Sequence, residues 1–352
     1  MNDIVFYGPD LKGHGGIASV IQTYIGSDER GFNVRAINSY TTGQGKNNLI
    51  TFFMSLFLLV RMLVFSRPQL VYIHAASRGS FFRKSLVVLC CRFFHLPVIL
   101  HLHGGGFKEF YQELSSFAQC YIRFIIRMTS TFIVLSAGWK TWFLNEVDNF
   151  TNIRVIKNGV KESQELATSK GDRKIIFAGR LVKGKGVDDL FLALSELKTS
   201  GCNVKVIVAG DGDVTGYQDL AVKLGIKANV TFAGWVERNE LDRLMRSARC
   251  LVLPSYAEGM PMCILEAFAN KLPVVATTVG AIPEMVKHGS DGYLYPPGDI
   301  DQLSSYLKIY AEDEESAIKD GLAGFKKYSE QYSETIFINE MNQAIYDVLN
   351  NA

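Results

Sequence analysis

The chain has 352 residues, 48% hydrophobic and 20% charged, with 31 glycines and only 9 prolines. That is enough for two globular domains, each with its own core, and it excludes a disordered or fibrous protein. The net charge of +2 hides an asymmetry: residues 1–160 carry 16 Lys and Arg against 8 Asp and Glu, whereas the remainder carries 21 against 27.

No acid occurs between Glu29 and Glu109, a stretch that holds nine Lys and Arg beyond Arg30 among many Phe, Leu and Val. A basic, aromatic half suits an anionic partner: nucleic acid, a lipid surface or a phosphate-bearing substrate. The cysteines Cys90, Cys91, Cys120, Cys202, Cys250 and Cys263 form no C-x-x-C pair. With no secretory signal ahead of them they read as reduced structural residues of a cytoplasmic protein.

In chain order, strands are expected at Ile4–Tyr7, Val34–Ile37, Leu70–Ile73, Val98–Leu102, Phe132–Leu135 and Ile153–Ile156, then at Lys174–Ala178, Val204–Ala209, Val230–Phe232, Cys250–Pro254 and Pro273–Thr277. Amphipathic helical patterns separate most of them, which predicts parallel sheets covered on both faces. The alternation occurs twice, so the fold class is α/β with two doubly wound domains. The polar run 157–174 fits a linker between a first domain over 1–157 and a second over 158–332. The tail 333–352 is helical and is free to return to the first domain.

Leu49–Phe65 has 14 apolar residues of 17. Spanning a bilayer takes roughly 20 apolar residues, and Arg61 interrupts the run, so a helix covering the first sheet with one face touching lipid is expected.

After the first strand, "YGPDLKGHGGIASV" places Gly13, Gly15 and Ala18 in a loose G-x-G-x-x-[GA] spacing before a helix, a phosphate-binding pattern. A nicotinamide site also wants an acid about 20 residues on. The second strand runs instead into Asn38, Ser39 and Tyr40. In "PVILHLHGGGF", alternation sets Ile99, His101 and His103 on one face, with His103 at the strand's carboxyl end. His101 lies deeper and reads as a core residue.

In the second half, "FAGRLVKGKG" puts Arg180 and Lys185 just past a strand, where doubly wound sheets bind ligands, and the two cations suit a diphosphate. In "LPSYAEGMPMCILEA", Glu258 falls on the loop after a strand and Pro261 marks a helix start. The amides of Gly259, Met260, Met262 and Cys263 lie near that start. Glu266 sits inside the helix among apolar residues, where its carboxylate needs donors such as a ribose diol.

These blocks, with "VAGDGD" and "PVVATTVGAIPEMV", resemble the family-4 retaining glycosyltransferases, whose two Rossmann-like domains face across a cleft in the GT-B fold. Glu258 and Glu266 match that family's E-x7-E motif, and the likeness is sharpest from 174 to 298. The resemblance implies that Glu266 binds the nucleotide ribose and that Arg180 and Lys185 neutralise the diphosphate. Glu258 and the backbone from Gly259 through Met260, Pro261, Met262 and Cys263 would hold the donor sugar and distal phosphate. Gly15 and Gly16 would close over the diphosphate, Gly212 belongs to a donor-side glycine loop, and Trp235 and Val236 border the base. His103 matches the active-site histidine. Ser136 and Lys140 are weaker candidates for the acceptor side.

The implied reaction is retaining transfer from a nucleotide sugar, a UDP-sugar by family expectation with GDP open, to a saccharide acceptor that is lipid-linked. Cell-surface polysaccharide, O-antigen or glycolipid synthesis would be served at the inner face of the membrane. No cofactor and no metal are expected: the D-x-D at Asp211–Asp213 reads as structural. A nucleotide-sugar epimerase of the same fold and a non-catalytic nucleotide-sugar-binding subunit are the alternatives. Nucleic-acid binding would rest on the basic half alone, without a base-reading motif.

Overall fold

The computed structural model describes residues 3–13, 15–40, 47–163 and 174–351. The linker expected over 157–174 falls largely outside them. The chain divides into two units, Met1–Gly159 with Glu334–Ala352, and Val160–Ser333.

In the first unit six strands, β1 (Asp3–Gly8), β2 (Asn33–Asn38), β3 (Leu70–Ala75), β4 (Val98–Leu102), β5 (Thr131–Val134) and β6 (Ile153–Val155), form a parallel sheet in the order β2-β1-β3-β4-β5-β6. The helices are α1 (Gly16–Gly26), α2 (Asn47–Phe65), α3 (Gly79–Phe93), α4 (Phe107–Gln112), α5 (Ser116–Arg127) and α6 (Ala137–Trp142). The two-residue period decides which side chains meet which helices. Val5, Tyr7, Val71, Ile73 and Leu100 share a core with Phe52, Leu59 and Leu63 of α2 and with residues of α3 and α5. Phe6, Tyr72, His74 and His101 alternate to the other face, where Phe6 meets Tyr24 of α1 at 5.2 Å between ring centroids.

The second unit holds β7 (Lys174–Ala178), β8 (Lys205–Ala209), β9 (Val230–Gly234), β10 (Cys250–Leu253), β11 (Val274–Thr277) and β12 (Gly292–Tyr295). They are also all parallel, in the order β12-β11-β10-β7-β8-β9. Its helices are α7 (Val187–Thr199), α8 (Val214–Lys223), α9 (Arg238–Arg246), α10 (Met262–Ala269), α11 (Ile282–Met285), α12 (Ile300–Glu312) and α13 (Glu314–Gln331). Two doubly wound sheets are therefore present, with one strand, β12, that the sequence patterns did not announce.

A final helix, α14 (Glu334–Asn350), returns to the first unit. Phe337, Ile338, Met341 and Ile345 are buried, Tyr24 donates to Asn342 at 2.6 Å, and Arg154 pairs with Asp347 at 2.7 Å. Strand order reverses between β1 and β3 in the first sheet and between β7 and β10 in the second. Those switch points open a crevice at the carboxyl edge of a doubly wound sheet, where ligands bind.

Candidate functional site

In the second unit, the residues singled out from the sequence gather along the carboxyl edge. Arg180 follows β7, Gly212 follows β8, Trp235 and Val236 follow β9, and Glu258 follows β10. Arg180 and Glu258 thus flank the β7/β10 switch point. The backbone ties these loops together. Leu181 donates to the Asp211 carbonyl at 2.7 Å, and Tyr256 donates to the Gly184 carbonyl at 3.0 Å. Gly186 has φ +67°, and a Cβ there would collide with the Pro254 carbonyl. Only glycine lets the Lys185 turn rest against the strand that delivers Glu258.

The acids of the D-x-D have structural partners. Asp213 caps α8 by accepting from the Gly216 amide at 3.0 Å, and Asp211 pairs with Arg180 at 3.3 Å. Lys185 does not stand alone either: its Nζ lies 2.6 Å from Glu258 Oε1, and the Glu258 side chain is only 9% exposed. The sequence reading sent Lys185 to a diphosphate and Glu258 to a sugar, whereas the two side chains here partner each other. Each cation of the pair therefore already faces a carboxylate.

Pro261 is the N-cap of α10, with Met262 the first helical residue, one position later than a first-turn proline would put it. Among the described residues no side chain caps the helix, which leaves the amides of Met262 and Cys263 for a ligand. Burial pushes the Cys263 thiol up, with the Glu258 charge adding to it, so it stays protonated. Gly280 (φ +58°) backs the loop, since a Cβ would strike the Glu258 carbonyl.

Glu266 points from α10 toward α9, where Arg238 donates from Nη1 to Oε1 at 3.0 Å. Burial raises the Glu266 pKa, and Arg238 opposes the shift. Arg238 is itself held by Asp242 at 3.0 Å and by the Lys161 carbonyl at 3.3 Å. Asn270 links Asp242 to the Glu266 carbonyl. Among the described residues no second hydrogen bond reaches the Glu266 carboxylate, so Oε2 is open to a donor from a ligand. Arg238 was missed in the sequence because nothing local marks an arginine 28 positions from its partner. Trp235, half exposed, stands at the end of β9.

In the first unit, Gly15 is the N-cap of α1 and Gly16 its first residue. A Cβ on Gly15 would meet nothing within 4 Å, so open space lies beside that turn. His103 follows β4, its amide donating to the Ala75 carbonyl at 2.8 Å. Its Nε2 lies 2.9 Å from His74 Nδ1, and His101 Nδ1 lies 3.0 Å from the Tyr72 hydroxyl. Burial holds all three rings neutral: His103 is pushed down to about 3, and His74 and His101 lie well below their ordinary value, with His103 adding to both shifts. Nitrogens of His74, His101 and His103 lie within 4.8 Å of one another, and among the described residues this is the one group with metal-ligand spacing. The sequence reading named His103 and left His101 to the core, and it did not name His74, whose part depends on strand register.

Two further side chains complete the edge. Ser136 is buried and caps α6, accepting from the Trp139 amide at 3.3 Å, while Lys140 is half-buried on the same helix. Lys84 of α3, also unannounced by the sequence, lies buried 4.9 Å from the Tyr7 ring centroid and donates to Ser39. Burial, aided by Arg83, pushes it down to about 7.

Among known proteins, residues 160–326 match the family model described as glycosyl transferases group 1. An uncharacterised glycosyltransferase of Methanocaldococcus jannaschii is 35% identical over 135 residues, 38% of this chain and 34% of that protein. The UDP-Gal:alpha-D-GlcNAc-diphosphoundecaprenol alpha-1,3-galactosyltransferase of Escherichia coli is 27% identical over 290 residues, 76% of this chain and 72% of its own. The crystal structure of Anabaena HepE in complex with UDP matches with a TM-score of 0.78 at 18% identity, over 99% of this chain and 100% of that one. The chain spans about a third of the archaeal relative's length. The likeness to HepE bears on the fold, which is that of the GT-B proteins.

Proposed function

We propose, from the match of residues 160–326 to the family model described as glycosyl transferases group 1, that the chain moves a sugar from a UDP-sugar to a lipid-linked saccharide, retaining the anomeric configuration. The observation that carries the reading is the edge of β7 and β10. There a largely buried carboxylate of α10 with one open oxygen, the start of that helix without a side-chain cap, and a Lys–Glu pair on the adjoining loops come together.

Glu266 Oε2 accepts from the ribose hydroxyls, while Arg238 favours the ionised carboxylate against the effect of burial. The donor diphosphate draws Lys185 away from Glu258 and engages Arg180. Glu258 is then free to accept from a sugar hydroxyl, and the Met262 and Cys263 amides take the distal phosphate or sugar. Binding the diphosphate and freeing the sugar-binding acid thus become one event. In the transfer, the bond from the anomeric carbon to the phosphate oxygen breaks as the bond to the acceptor oxygen forms on the same face. The departing phosphate oxygen takes the acceptor proton. Positioning and charge stabilisation by Arg180 and Lys185 carry the catalysis. Asp211 and Asp213 are engaged as ion-pair partner and helix cap, and we propose that no divalent cation is required. UDP and a lipid diphosphate are suggested by the names of the HepE complex and of the Escherichia coli relative.

The test is transfer of labelled sugar from UDP-sugars to lipid-linked saccharides, with the anomeric configuration of the product read by NMR. Retention and full activity in EDTA are expected. Lys185→Ala should lower turnover by roughly two to three orders of magnitude. An inverted product, or strict dependence on Mg²⁺ or Mn²⁺, overturns the mechanism.

A further inference from the structure

Helix α2 is apolar on two sides. Its inward stripe, Phe52, Leu59 and Leu63, lies in the core of the first unit. Its outward stripe is also apolar: Ile50, Phe53, Met54, Phe57 (72% exposed), Leu58 and Phe65 (81%) face solvent, with Arg61 the lone charge among them. A surface helix ordinarily turns polar residues outward. The outer faces of its neighbours continue the pattern. Phe93 of α3 and Phe117 and Phe124 of α5 are exposed, as are the cations Arg67 and Arg92. An apolar surface of this extent on a folded unit marks an interaction site.

We propose that this face docks in plane on an anionic lipid bilayer, with the outward stripe of α2 inserted at headgroup level. Charge selects the occupant. From residue 30 to 108 the sequence holds ten cations and no acid, which suits a negative leaflet. A second copy would present the same basic face and bring like charges together. Spanning is a different matter. Asn48–Phe65 is the one helix among the described residues long and apolar enough to cross a bilayer. To do so it would have to pull Phe52, Leu59 and Leu63 out of the core, so it lies along the surface instead.

The topology gives the docking a purpose. Helix α2 runs back between the parallel strands β2 and β3, so its first turns, with Ile50 and Phe53, lie beside the carboxyl edge that carries His103. A lipid-borne acceptor would arrive at that edge without leaving the membrane. This last step rests on the reading of the acceptor as lipid-linked; the docking does not.

The experiment is co-sedimentation of the full chain with vesicles of phosphatidylcholine alone or enriched in phosphatidylglycerol, at low and high salt, with UDP titration alongside. Binding to the anionic vesicles is expected, weakened by salt. The double variant Phe53→Ser, Phe57→Ser should bind at least roughly tenfold more weakly, melting at the wild-type temperature. Arg61→Glu should lose affinity for anionic vesicles only. UDP affinity should be unchanged in all of them, which separates the docking from the donor reading. Wild-type protein that ignores both vesicles overturns the proposal, and so does a dimer in solution that the double variant abolishes.

Discussion

The four residues that carry the donor reading differ in how much of their setting the sequence disclosed. Arg180, Lys185, Glu258 and Glu266 were legible because each sits at a fixed offset from a strand end or helix start. Their partners were not: Lys185 meets Glu258 across 73 positions and Glu266 meets Arg238 across 28, and such pairs exist only once the strands are ordered. Arg238 matters because burial alone would push Glu266 toward its neutral form, which accepts hydrogen bonds poorly. Removing the guanidinium should leave the carboxyl pKa higher still. In Arg238→Met, the pH at which UDP affinity recovers should lie above that of the wild type, because the carboxyl ionises only at higher pH once the guanidinium is gone. The wild type should keep its affinity to lower pH than the variant does. Isothermal titration of both proteins across pH checks this, and parallel curves would remove Arg238 from the site.

Elements were read more easily than their contacts. Eleven of the strands were visible as short apolar runs between helical patterns. β12 escaped because "GYLY" is four residues long, opens on glycine and becomes a strand only by pairing with β11, Val275 opposite Tyr293. The two-sided apolar character of α2 was plain, but which side faces the sheet is a matter of packing, not of periodicity. The loops of the site depend on backbone contacts that composition hints at only through glycine. At Gly280 the left-handed φ and the approach of the Glu258 carbonyl exclude any Cβ. Gly280→Ala should destabilise by about 1–3 kcal/mol and loosen the loop that carries Glu258. Urea unfolding measures the first effect and the donor KM the second. A variant as stable as wild type, with an unaltered KM, would show that the loop does not need this contact.

At the scale of the whole molecule, the charge asymmetry seen in the sequence maps onto two separately cored units. The first is basic, exposes apolar surface and closes with α14. The second is acidic overall, yet sets its cations at the β7/β10 switch point. The proposed donor site lies in that second unit, and Glu266 is where the account is most exposed. Calorimetric titration of UDP into the wild type and into Glu266→Ala, both confirmed folded by thermal melting, is the deciding measurement. The account expects tight wild-type binding and a loss of roughly 10- to 100-fold in the variant, the worth of hydrogen bonds to a charged acceptor. Equal affinity in the two proteins, or no UDP binding by the wild type, would contradict it.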